Sequence, residues 1–140
     1  MITEAQYMGE WRFKPESTAL VLRNVQNLLA RVNGLMASAK SQGIVFKNNP
    51  ATFSQISGDQ FGGFRPIGCP IGATNSAHKT GQAVDLFDPM GEIDAWCLKN
   101  AEEGGLLQLH CIYIESPDFT PHWSHWSTRK PPSGNRVFRP

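Results

Sequence analysis

Apolar and polar positions recur with two different periods along this chain, and the change of period divides it. Leu22, Val25, Leu28, Leu29, Val32, Leu35, Met36 and Ala39 follow spacings of three and four. They put one apolar stripe on a helix of about 20 residues, a core face rather than a cofactor box. Gly43 and the Asn48-Asn49-Pro50 cluster end it. Before it, residues 1–16 read as a mixed lead-in. After it the period falls to two. Thr52–Ser57 alternates as a short strand, and Gln82–Phe87 reads as another. Glu92–Glu103 returns to helical spacing through Ile93, Trp96, Cys97 and Ala101, with Gly104-Gly105 as its stop. Gln108–Glu115 is the strongest strand signal, Pro117–Pro121 a turn, and His122–Thr128 a last strand. The tail, 129–140, is rich in Pro and Gly and is expected to lie along the surface. One helix followed by strands with a helix among them predicts an α+β fold: a single domain over 1–140 with a central antiparallel sheet and flanking helices.

Composition changes this picture little. The chain has 140 residues, 40% hydrophobic and 18% charged, with a net charge of +1. That suits one soluble domain and offers no electrostatic footprint for nucleic acid or an anionic membrane. Arg129, Lys130, Arg136 and Arg139 read as a solvated basic tail. No apolar run approaches the roughly 20 residues that span a bilayer, and no signal peptide is expected at the N-terminus. The three cysteines, Cys69, Cys97 and Cys111, form neither a disulfide framework nor a C-x-x-C pair. Free thiols in a reducing compartment are the expectation, and a monomer is the expected state.

Two long-period features carry chemistry. Gly58–Gly72 is a glycine- and proline-rich loop long enough to be functional. Beyond it, His78 stands in a loop that turns at Gly81, and Asp85 stands in the strand, on the face shared with small Ala83. Imidazole and carboxylate are zinc ligands, and a catalytic zinc needs three of them plus water. The remaining histidines are His110, His122 and His125. His110 reads as a satisfied core histidine. In a strand, Trp123 and His125 share one face and His122 takes the other, unless Pro121 bends the start. Core packing is the default for Trp96, Trp123 and Trp126. A lone H-x6-D pair reads by itself as a chance or structural feature, not as a metal site.

The whole string is more specific. Ser76, His78, Gly81, Ala83 and Asp85 spell S-x-H-x-x-G-x-A-x-D, which resembles the M15 zinc metallopeptidases, the D-Ala-D-Ala carboxypeptidase and phage endolysin family whose fold is shared by hedgehog signalling domains. Ile56-Ser57-Gly58 and Phe64-Arg65-Pro66 resemble the family's Ser-Gly and aromatic-Arg elements, separated by an insertion. Trp123-Ser124-His125 resembles its final ligand segment. YMGEW, NLLARVN and PPSGNRVF are similar to the subgroup found in bacteriophage genomes.

The resemblance implies one Zn2+ held by His78, Asp85 and His125. It implies that Arg65 contacts the substrate and polarises the scissile carbonyl. Ser76 belongs to the same substrate side, and a loop-capping hydrogen bond is its expected part. The family's catalytic carboxylate falls three residues before the last ligand, where this chain has His122. That imidazole can act as the base, become a fourth ligand or face away, and Glu115 and Asp118 are the nearby carboxylates that can substitute. The implied activity is zinc-dependent hydrolysis of a peptide bond in peptidoglycan stem peptides. The implied setting is a lysin that accumulates in the host cytoplasm or rides in the virion. A zinc-bearing structural or wall-binding module without catalysis is the alternative, and a metal-free α+β domain with a fortuitous motif is a third.

Overall fold

The computed structural model describes residues 1–58 and 61–140. Residues 59 and 60, inside the Gly58–Gly72 loop and the proposed insertion, lie outside the described residues.

The N-terminal segment, expected as a lead-in, is part of the core. Gln6 N–H donates to Thr3 Oγ1 at 3.2 Å, and Thr3 N–H donates to Gln6 Oε1 at 2.9 Å. This reciprocal cap satisfies N–H groups that a helix start leaves orphaned, and α1 (Glu4–Met8) follows. Its Tyr7 and Met8 are buried, and Tyr7 Oη donates to Ala83 O at 2.8 Å. A helix of one turn has no periodicity to read, so only its long-range contacts reveal it. The apolar stripe forms α2 (Ala19–Ser41), started by Thr18, whose Oγ1 accepts from Val21 N–H. Every stripe residue from Val25 to Ala39 is buried, with Leu22 at the margin.

The sheet has the order β1-β3-β2-β4, with β1 (Ala83–Phe87), β2 (Tyr113–Glu115), β3 (Trp123–Ser127) and β4 (Val137–Phe138). The β1–β3 and β2–β3 pairs are antiparallel, and β4 adds a parallel edge to β2. The fold is α+β, and β4 makes the sheet mixed. Val84, Leu86, Ile114 and Trp126 on one face are fully buried in a core shared with α2. Asp85, Glu115 and His125 alternate onto the other face.

Four expected boundaries differ. Thr52–Ser57 is not a strand: it makes only isolated bridges, Asn49 with Ser54 and Ile56 with Leu86. The buried Asn49 side chain donates to Ile56 O and Gly58 O, which curls the segment so that it touches β1 without running along it. The helix expected over Glu92–Glu103 ends early, as α3 (Glu92–Lys99), where Asn100 Nδ2 donates back to Trp96 O. Gln108–Glu115 is mostly not strand. It begins inside a one-turn helix α4 (Leu106–Leu109), and Cys111 takes φ +53° before β2 starts at Tyr113. Its Ile112 and Ile114 are buried while Leu109 is exposed, and the apolar residues run on across the turn as they would in one long strand. The tail is not a loose surface strand, because Val137 and Phe138 join the sheet.

Candidate functional site

The β1–β3 register sets Asp85 directly opposite His125 on the outer face. Opposed residues of an antiparallel pair lie close enough for side chains to meet, and His125 Nδ1 lies 2.7 Å from Asp85 Oδ1. His78 arrives from a 3-10 turn, Ala77–Thr80, that precedes β1. Ser76 caps this turn, its Oγ accepting from His78 N–H at 3.3 Å. Gly81 closes it at φ +71°, and a Cβ there would stand 2.7 Å from Val25 Cγ2. Only glycine meets both demands, so Gly81 lets the turn lie flat on α2.

The histidine protonation pattern follows from the partners. His78 Nδ1 lies 2.8 Å from Gly63 O. A carbonyl can only accept, so Nδ1 carries the proton and Nε2 presents its lone pair. Burial lowers the pKa of His78, more than the opposing pull of Asp85. Neutral His78 Nε2 therefore faces Asp85 Oδ1, 3.3 Å away, as acceptor against acceptor. Burial also lowers His125, but the Asp85 hydrogen bond and charge, with Glu115, outweigh it and raise its pKa. Burial pushes Asp85 up, yet the hydrogen bond and charge of His125 hold it well below the usual carboxylate range. The second oxygen, Oδ2, accepts from Arg65 Nη2 at 3.2 Å.

This donor set fits a divalent cation. One ligand atom each from His78, Asp85 and His125 lies within 4.8 Å of the others. A cation resolves the opposed lone pairs of Nε2 and Oδ1. Gly63 O and Arg65 already hold the far sides of His78 and Asp85, as hydrogen-bond partners behind metal-binding side chains do. Two imidazoles and a carboxylate suit zinc and other borderline first-row metals alike.

The cluster forms the floor of a cleft of about 800 Å³ whose walls include Arg65, Ser76, Glu115, Trp123, Arg129 and Phe138. Arg65 is buried, with Nε donating to Phe61 O at 2.6 Å. Its Nη1 has no hydrogen-bond partner among the described residues. The Phe138 ring meets that of His125 edge-on at 6.1 Å. The β2–β3 register pairs Tyr113 with Ser127 and Ile114 with Trp126, so its next step sets Glu115 beside His125. Burial raises the pKa of Glu115, His125 opposes that, and Asp85 adds to it.

The other sequence candidates stand elsewhere. His122 is exposed, takes φ +74° before β3 and turns its Nδ1 toward Pro89 O, 3.4 Å away, outside the cleft walls. Of its three possible parts, this geometry is that of the bystander. Asp118 is exposed in a 3-10 turn, Pro117–Phe119. His110 is half-buried, not core; its ring lies against Gly34 of α2, with Nε2 3.4 Å from Ser38 Oγ. Cys69 lines a separate hollow beside Trp11 and Phe64. Trp126 is core, whereas Trp123 lines the cleft. Gly63, Phe138 and Arg129 were not singled out by sequence pattern, since each acts through contacts distant along the chain.

Comparisons with protein-family models, curated proteins and solved structures find no match to this chain. The likeness to M15 metallopeptidases rests on the motif residues themselves.

Proposed function

We propose that the chain is a zinc-dependent peptidase that hydrolyses a peptide bond in peptidoglycan stem peptides or cross-links. The observation that carries the reading is the meeting of His78 Nε2, Asp85 Oδ1 and His125 Nδ1 at the floor of an open cleft. Peptidoglycan as substrate, and a phage lysin as setting, come from the S-x-H-x-x-G-x-A-x-D string and its likeness to M15 enzymes.

A divalent ion held by three protein ligands supplies Lewis-acid polarisation and a nucleophilic water at neutral pH. The chain's own residues divide the remaining tasks. Glu115, beside His125 on the cleft wall, takes the proton of the attacking water and returns it to the departing amine. It fills the carboxylate place that the motif leaves to His122. Arg65 keeps Asp85 oriented through Nη2 and turns Nη1 to the substrate carbonyl oxygen. Trp123 and Phe138 give the cleft apolar walls that exclude water around the scissile bond. Ser76 holds the His78 turn.

The second reading, a zinc-bearing wall-binding module without turnover, is favoured by the position of His122 outside the cleft. One experiment separates the two. Zinc-loaded protein is incubated with purified peptidoglycan, with and without chelator, and the muropeptides are read by mass spectrometry. New fragments that vanish with chelator support the peptidase. Unchanged muropeptides from several wall types, with one zinc per chain, leave the binding module.

A further inference from the structure

The two histidines of the cluster come from elements that the β1–β3 ladder does not itself join: His125 is in β3, but His78 lies in the turn before β1. Their separation therefore depends on what ties that turn to the end of β3. Arg129, two residues beyond β3, reaches across the gap. Its Nη1 donates to Asn75 O at 2.6 Å, its Nη2 to Thr80 Oγ1 at 2.7 Å and its Nε to Gln82 Oε1 at 3.4 Å. Asn75 and Thr80 bracket the turn that carries His78. On the opposite side the turn rests on α2, through Asn24 Nδ2 to Thr80 O at 2.9 Å and the Gly81–Val25 contact.

The arrangement distinguishes a clasp from a fold contact. The backbone around Arg129 is anchored without its side chain. Thr128 N–H donates to Gln82 O at 2.9 Å, Ser127 Oγ–H to the same oxygen at 3.0 Å, and Arg129 N–H to Ser127 Oγ at 3.0 Å. Removing the guanidinium leaves these in place, along with the His78 contacts to Gly63 O and Arg65 N–H, and releases the two ends of the turn at Asn75 and Thr80. A planar fork that spends donors on three acceptors at once also holds one geometry, which a lysine ammonium matches only in part.

Building on the proposed metal centre, we infer that Arg129 is a positioning residue: its guanidinium clasps the His78 turn to the end of β3 and so sets the spacing of the two imidazole donors. It acts through Asn75, Thr80 and Gln82 and touches none of the three ligands.

The test uses the full chain as wild type, Arg129→Gln and Arg129→Lys. Two readouts are taken: amide hydrogen exchange of residues 76–81 in chelator, and zinc affinity by competition with a chromogenic chelator, with the visible spectrum of the Co2+-loaded protein beside it. Thermal melting in chelator reports the fold. The expected result is a melting temperature close to wild type, faster exchange confined to 76–81, a zinc dissociation constant raised about tenfold or more in Arg129→Gln, an altered Co2+ spectrum, and partial recovery in Arg129→Lys. Should Arg129→Gln fail to fold, Arg129→Met keeps the apolar stem without the donors and is read in the same way. Unchanged exchange at 76–81, or wild-type zinc affinity with an unchanged Co2+ spectrum, overturns the clasp. Wild-type protein that binds no zinc overturns the proposed metal centre instead, and the exchange result then decides the clasp alone.

Discussion

The two faces of the sheet use the same strands for opposite purposes. The inner face carries Val84, Leu86, Ile114 and Trp126, all fully buried against α2 and its neighbours. Its one polar thread is satisfied at each step: Trp126 Nε1 donates to Ser124 Oγ, and Ser124 Oγ–H donates to Asp94, which also accepts from Thr120 Oγ1. The outer face carries Asp85, His125 and Glu115, with His78 folded over them. There, two acceptors face each other and one buried arginine holds the remaining oxygen. Period-two alternation delivers both faces from strands of three to five residues. The inner residues lower the free energy of the fold by burial, while the outer ones gather charged and polar groups around a place where a cation or a proton can join them.

The comparison can be broken from either side. The largest effect is expected from Asp85→Ala, which deletes the carboxylate that both imidazoles approach. Under the proposed peptidase reading, zinc content by atomic absorption falls well below one per chain, and stem-peptide hydrolysis falls by on the order of 10³-fold or more. Stability falls as well, because Arg65 loses the carboxylate that balances its buried charge. On the inner face, Trp126→Ala costs about 3–5 kcal/mol in a urea titration, from lost burial and the cavity it leaves.

Under the same proposal, Glu115→Gln separates catalysis from metal binding. Zinc stoichiometry stays at the wild-type level, while kcat drops by about 10²-fold or more, the ordinary worth of a general base. A wild-type rate in this variant would remove Glu115 from the mechanism.

A smaller, pH-dependent effect sharpens the contrast on the inner face. Asp94 is buried and its pKa is raised to about 6, first by burial and further by the Asp88 carboxylate, against the Ser124 hydrogen bond. A carboxyl raised in the folded state binds more protons there than in the unfolded chain. Its stabilising contribution is full below the unfolded value near 4 and is lost as pH rises through about 6. Asp94→Asn lacks this titration, so its urea midpoint gains on wild type between pH 4 and pH 7; parallel curves would contradict the assignment. The smallest effect is expected from His122→Ala, which stays within about twofold of wild-type kcat with zinc unchanged, since a general base would contribute far more.

What could be read from the chain depended on whether the signal was local. The α2 stripe was readable because one helix face meets one core over many turns. His78, Asp85 and His125 were recognised through a motif whose spacing this fold does bring to one place. Gln108–Glu115 was misread because its apolar and β-branched residues continue across the turn that separates α4 from β2. Glu115 stood only as a substitute for His122, because its nearness to His125 depends on the β2–β3 register. Arg129 was assigned to a solvated basic tail and Phe138 to a tail along the surface, although one reaches back to Asn75 and the other joins the sheet beside β2.

The sequence by itself determined the elements whose periodicity is strong, the α+β class, and the identity and order of the three residues that could hold a metal. Helical and strand periods, and the ligand chemistry of imidazole and carboxylate, are properties of short stretches. Only the tertiary structure decided which carboxylate stands beside the cluster, which ring nitrogen of His78 is free, and that His122 faces away. Those depend on strand register, on a carbonyl fifteen residues upstream and on a positive φ at one position. None of these has a local sequence signature, because each is set by what the rest of the chain packs against it.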